Sequence, residues 1–212
     1  EESLEHLTLT HQRNKGDIKL TNAIIETAMV GLDHKPVLEI TQHITPSELL
    51  KNKDSHDLLD LICSQIEVFL YQENYEKALE RFLLLADVDL TYPRVLAIKS
   101  RFAANNGDFD TAKKHLSEAI KNLNTTFGNH STRSLPEIFR KMINQHSISE
   151  ACLALDEYLD AIQAWSKVYG QFDTQPLFNW RYLYALVTAA EVQQIASAVS
   201  ITTHSPGSAC LS

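Results

Sequence analysis

The sequence predicts an all-α fold built from pairs of antiparallel helices. Apolar residues recur at steps of three and four over most of the chain, which is the spacing of one helix face. Strand signals are scarce, because the chain has no Asn-Gly or Asp-Gly hairpin turn and few alternating β-branched runs. The clearest helical face is formed by Leu58, Leu61, Ile62, Ile66, Phe69 and Leu70.

Helix starts are marked by capping chemistry. In Thr45-Pro46-Ser47-Glu48 the threonine hydroxyl can cap the third amide, and the proline occupies the first helical position, where its missing N–H costs nothing. The same spacing recurs at Ser134 and at Ser147. Together these signals predict helices over 18–31, 36–44, 46–52, 56–71, 75–88, 93–105, 109–123, 135–154 (broken near Ser147), 158–169 and 176–199.

A short pattern repeats along the helices. An aromatic residue is followed three residues later by Ala and four residues after that by a large apolar residue. We expect the Ala where two helices of a hairpin cross most closely, and the aromatic residue in the gap between neighbouring hairpins. The first offset is 34 residues and the second is 49, the excess being absorbed largely by a polar loop. The three copies are Tyr75–Ala78–Phe82, Phe109–Ala112–Leu116 and Tyr158–Ala161–Trp165.

A 34-residue period with this pattern resembles the tetratricopeptide repeat family. Gly107 stands in the turn where the family favours Gly, whereas Glu73 and Asp156 occupy the same place in the other copies. The resemblance implies a right-handed superhelical stack of antiparallel hairpins, an α-solenoid, with a concave groove lined by the first helix of each pair.

This interpretation divides the chain into six parts. They are degenerate N-terminal hairpins over 1–55, two repeats over 56–123, a loop over 124–134, a third repeat over 135–170, a capping helix over 171–200, and a tail or linker over 201–212. The ends lack an initiating Met and a signal segment, so we expect one module of a larger protein.

Charge and composition exclude several classes of function. The formal charge is −8, which disfavours nucleic acid and anionic membrane surfaces as partners. The longest uncharged apolar run falls short of the roughly 20 residues that a membrane-spanning helix needs. Three widely spaced cysteines match no metal site and fit a reducing compartment, so the expected location is the cytoplasm.

The chain carries no motif that predicts catalysis. It has no Gly-rich phosphate loop, no Gly-x-Ser-x-Gly elbow and no His-Glu-x-x-His pair. A nucleophilic pair of Cys152 with His146 is left open, because sequence cannot supply the required proximity. The prediction is therefore a chain without enzymatic activity, cofactor or metal.

The resemblance also implies which side chains line the groove. Family geometry places Arg94 and Arg101 there between glutamates, where they would bind an acidic protein segment. Arg and Tyr concentrate binding energy in protein interfaces. The predicted partner-binding residues are Glu67, Tyr71, Arg94, Arg101, Asn105, His146 and Glu150.

The predicted function is therefore a non-catalytic scaffold that binds a protein or peptide segment. One alternative is a regulatory or substrate-positioning domain of an enzyme whose catalytic part lies outside this chain. Another is a self-assembling structural protein, with homo-oligomers formed through the aromatic C-terminal helix.

Overall fold

A computed structural model describes residues 17–30, 34–41, 55–85, 91–128 and 135–157, together with Asp160, Val187, Ala190 and Gln193. Within these residues all regular secondary structure is helical. The helices are α1 (Ile18–Val30), α2 (His34–Thr41), α3 (His56–Tyr71), α4 (Tyr75–Leu83), α5 (Pro93–Asn105), α6 (Phe109–Phe127) and α7 (Leu135–Ala154). The all-α prediction is confirmed for this part of the chain.

Helix starts follow the local chemistry. Three helices begin with an N-cap whose side chain accepts a hydrogen bond from the backbone amide three residues further along the chain. These N-caps are Ser55, Asn74 and Asp108. Pro93 opens α5 at a position that needs no N–H. Helices 56–71 and 93–105 accordingly begin and end where the sequence predicts.

Three helices end in the same left-handed turn. Glu73, Gly107 and Asp156 have φ angles of 55°, 80° and 58°. In each turn the amide of the next residue donates to a carbonyl five residues back, which is the Schellman arrangement. The three bonds run from Asn74 to Phe69 (2.8 Å), from Asp108 to Ala103 (2.9 Å) and from Glu157 to Cys152 (2.9 Å).

The helices share one apolar core. Helices α1, α2 and α3 pack on one another, α3 pairs with α4, α5 pairs with α6, and α7 lies against α5 and α6. Ala78 and Ala112 are fully buried, as the close helix crossing requires. The Ser100 hydroxyl donates to the Ala112 carbonyl at 2.8 Å and ties α5 to α6.

Several element boundaries differ from the prediction. Helix α4 ends at Leu83 rather than at 88, and α2 begins at His34 rather than at 36. The predicted end of α2 at 44 lies outside the described residues. Helix α6 continues to Phe127, so residues 124–127 of the predicted loop are helical. Residues 129–134 of that loop lie outside the described residues. The predicted break near Ser147 is wrong, because the Ser147 hydroxyl donates within the helix to the Ile143 carbonyl at 3.1 Å and α7 continues.

The predicted role of the repeat aromatics is also wrong at two positions. Tyr75 is 58% exposed and Phe109 is 55% exposed, so neither fills a gap between hairpins. Phe82 and Phe102 make that contact instead, with stacked rings whose centroids lie 4.2 Å apart. Tyr158 and Ala161, with helices 46–52 and nearly all of 158–169 and 176–199, lie outside the described residues.

Candidate functional site

The predicted groove residues lie mostly in the protein interior. The resemblance to tetratricopeptide repeats implies that they line an open concave face, but α7 lies against α5 and its side chains reach α3, so most of that face is covered. Only the two residues at helix ends, Tyr71 (part-buried) and Asn105 (exposed), together with the edge of Arg101, reach the surface. The buried members are Glu67, Arg94, His146 and Glu150.

Arg94 is a fully buried cation held between two buried carboxylates. Its Nη2 atom donates to Glu67 Oε2 at 2.6 Å and to the Ser64 hydroxyl at 2.9 Å. Its Nη1 atom lies 3.4 Å from Asp60 Oδ1 and 3.3 Å from the Asp60 carbonyl. Buried charges are stable only when they are paired in this way. The ion pairs of Arg94 therefore link α5 to α3.

The pKa values of Glu67 and Asp60, the two carboxylates beside Arg94, shift in opposite directions. For Glu67, burial opposes ionisation, but the Arg94 guanidinium, His146 and the Ser147 hydroxyl outweigh it and hold the pKa below its usual value. For Asp60, burial outweighs Arg94, Arg140 and Tyr92, and the pKa is raised. Burial also opposes the charge of Arg94, yet Glu67 and Asp60 raise its pKa, so the guanidinium stays charged.

Neutral polar groups extend the pair to a third helix. The Tyr92 hydroxyl donates to Asp60 at 2.9 Å, and Asn144 of α7 donates to that hydroxyl at 3.1 Å. Asn144 also accepts from the Arg94 backbone amide at 3.0 Å, and Ser147 donates to Glu67. We call this set the Arg94 cluster: Asp60, Ser64, Glu67, Tyr92, Arg94, Asn144 and Ser147.

Arg140 closes the cluster near the surface. Its Nε atom lies 3.1 Å from Asp60 Oδ2, and its Nη2 atom pairs with Asp57. The Arg140 side chain is 28% exposed, so this part of the network contacts solvent. Arg140 is therefore a second cation beside Asp60, and it partly offsets the rise that burial causes in the pKa of Asp60.

A second polar set lies between the same helices. The Tyr71 hydroxyl and His146 Nε2 are 2.6 Å apart, and the ring of His34 stacks on Tyr71. Glu150 carries the set onward, with one oxygen 3.9 Å from His146 Nε2 and the other 3.8 Å from Arg101. The charges predicted to meet an acidic partner are thus paired inside the protein, Arg94 with Glu67 and Arg101 with Glu150.

The buried cysteines are poor nucleophiles. Burial raises the pKa of Cys63 well above its ordinary value. Burial, with Glu157 nearby, raises the pKa of Cys152 to about 12. Both thiols are therefore protonated at neutral pH, where a catalytic cysteine needs thiolate.

Neither a metal-binding cluster nor a helix suited to a membrane occurs within the described residues. Across the described helices and turns, no group of three His, Cys, Asp or Glu side chains is arranged to hold a metal ion. Among the same helices, none combines the length and hydrophobicity that crossing a lipid bilayer demands.

A shallow cavity of about 250 Å³ opens between α6 and the end of α7. Its lining residues are Lys113, Leu116, Ser117, Ile120 and Glu157.

The predicted site residues include only two of the seven members of the Arg94 cluster, Glu67 and Arg94. Tyr92, Asn144 and Ser147 were not singled out as partners of Arg94. A signal was present, because Asp60, Ser64 and Glu67 follow the spacing of one helix face, as Arg140, Asn144 and Ser147 do on α7. Polar stripes at core spacing on otherwise apolar helices indicate buried networks.

Comparisons with protein-family models, curated proteins and solved structures found no match for this chain.

Proposed function

We propose that the chain is a non-catalytic scaffold that binds other proteins, built as a stack of helical hairpins in the manner of tetratricopeptide repeats. The observation that carries the proposal is the recurrence of one turn at Glu73, Gly107 and Asp156. The first two lie 34 residues apart, and each precedes a helix with a fully buried Ala in its first turn. Repeated hairpins of this kind build extended binding surfaces in solenoid proteins.

The buried ions support a scaffolding role rather than a catalytic one. Catalytic acids and bases must reach a substrate, whereas Glu67, Arg94 and His146 are all 0% exposed. Charged and polar side chains that pair across three helices favour one arrangement of those helices. We propose that these residues hold α3, α5 and α7 in register, and that binding falls to side chains that reach the surface, the exposed Asn105 and the part-buried Tyr71 among them.

The cysteines support the proposed location. Cys63 and Cys152 are buried free thiols. Proteins of oxidising compartments commonly convert their cysteines to disulfides, so two unpaired thiols favour a reducing compartment such as the cytoplasm.

The proposal is tested by capturing partners from source lysate with the folded chain and then rebuilding each complex from purified components. We expect a partner protein that binds with defined stoichiometry in calorimetry, while the chain alone sediments as a monomer at all concentrations. Binding that no purified protein reproduces would overturn the proposal. So would concentration-dependent assembly of the chain alone, which would favour the structural alternative.

A further inference from the structure

Helix α4 presents a row of large apolar side chains to solvent. Tyr75, Leu79 and Leu83 are spaced four residues apart, so they lie one above another on one helix face. Their exposed fractions are 58%, 45% and 59%. Single exposed apolar residues are ordinary on protein surfaces, but a contiguous row marks an interaction site. We call these three residues the α4 stripe.

Helix α6 provides an internal reference for this stripe. It follows the same turn 34 residues later and pairs with its neighbour as α4 does. Lys113 and Ser117 stand where α4 has Leu79 and Leu83, and both are exposed. A hairpin of this type therefore folds with polar residues at these two positions. The α4 hairpin therefore does not need leucine at these positions in order to fold. We infer that Leu79 and Leu83 contact a partner protein instead.

Glutamates border the α4 stripe on one side. Glu76 and Glu80 lie on the helix face next to it, and Glu73 lies in the preceding turn; all three are exposed. On the other side the helix turns towards the core through Ala78 and Phe82. The same positions of the α6 hairpin carry no net charge: Gly107, Asp110 and Lys114.

We propose that the α4 stripe docks a positively charged amphipathic helix of another protein. This inference rests on the proposed function, and it adds the surface and the kind of partner. The apolar face of such a helix covers Tyr75, Leu79 and Leu83, and Lys or Arg residues at its edge face the glutamates. The net charge of −8 steers a basic partner towards the chain. A second copy fits poorly, because its own stripe would bring three more glutamates to the interface.

The test uses a labelled model peptide of about 18 residues, with Leu on one helix face and Lys on the other, in fluorescence anisotropy with the full chain. An otherwise identical peptide with Glu in place of Lys reports the charge requirement. We expect the Lys peptide to bind at least about ten-fold more tightly than the Glu peptide. Leu79→Lys with Leu83→Ser installs the α6 residues, and it should weaken binding about ten-fold with the helical circular dichroism unchanged.

A matched pair of charge variants separates the stripe from the overall charge. The test variant carries Glu76→Lys and Glu80→Lys on α4. The control variant carries Asp110→Lys and Glu118→Lys on α6, and it changes the net charge by the same amount. We expect only the α4 pair to lose binding. Equal losses from both pairs, or no loss from the leucine exchange, would overturn the inference.

Two further outcomes distinguish this inference from the proposed function. A captured partner protein that still binds the leucine-exchanged chain would leave the proposed function standing and overturn the α4 stripe. Self-association that the leucine exchange abolishes would identify a second copy as the occupant, and would also overturn the inference.

Discussion

Replacing Arg94 with Met should be among the most damaging single changes in this protein. The Met side chain keeps much of the buried volume but removes the cation that Glu67 and Asp60 share. At 2.6 Å and an effective dielectric constant of about 20, the Arg94–Glu67 attraction is on the order of 6 kcal/mol before desolvation is counted. Breaking a buried pair by removing one partner costs a net 3–5 kcal/mol, roughly, and that is the expected loss in unfolding free energy.

The loss should depend on pH in a defined direction. The folded-state pKa of Glu67 is lowered, so its contribution is present above its unfolded pKa and is lost as the pH falls through the folded value. Without Arg94, burial would raise the pKa of Glu67 instead. The difference between the native protein and Arg94→Met should therefore be largest near neutral pH and shrink in acid.

Urea denaturation followed by circular dichroism measures both effects. Arg94→Met with Glu67→Gln removes both charges of the closest pair, so it should recover part of the loss, as a double-mutant cycle would show. Lys121→Met, an exposed control, should change the unfolding free energy by less than about 0.5 kcal/mol. An Arg94→Met loss below about 1 kcal/mol, or one independent of pH, would refute the reasoning.

Three further predictions concern the turns, the helix crossing and the thiols. Glu73→Gly should raise the unfolding free energy by about 0.5 kcal/mol, and Gly107→Ala should lower it by about 1 kcal/mol, because both positions have positive φ; urea titrations showing the same sign for both would contradict this. Ala112→Leu should destabilise by roughly 1–3 kcal/mol in the same assay, because the fully buried methyl leaves no room for more atoms; an unchanged midpoint would argue against a close crossing there. Cys63 and Cys152 should resist iodoacetamide in the folded protein and react once urea unfolds it, as intact-mass spectrometry would record; rapid labelling of the native chain would contradict their burial.

Local chemistry made much of the fold predictable. Asn74 and Asp108 cap helices that begin at the predicted residues, 75 and 109, and Gly107 occupies a turn that favours glycine. Helix ends were harder to predict, because Asn124, Thr125 and Thr126 carry polar side chains suited equally to a loop or a last helical turn. Propensity differences of a few tenths of a kcal/mol per residue do not decide such an end, whereas packing of the buried Phe127 does.

The candidate site was less predictable than the fold. The resemblance to tetratricopeptide repeats implies that Glu67 and Arg94 lie on the inner faces of their helices, and a charged residue there suits an open groove or a buried pair equally well. The choice depends on where α7 lies, and Ser147 reaches Glu67 across 80 residues of sequence. No spacing rule within one helix carries that information.

The Arg94 cluster has a consequence for the way this chain can be divided or extended. In a simple repeat array each repeat contacts only its neighbours, so a repeat can be added or removed without disturbing distant ones. Here α3 and α5 supply the buried ions and α7 supplies neutral hydrogen-bond partners, so losing any one of these helices leaves buried polar groups of the others without their partners. Proteolytic fragments that separate these helices should fail to fold alone, and deleting one hairpin should destabilise the helices that remain.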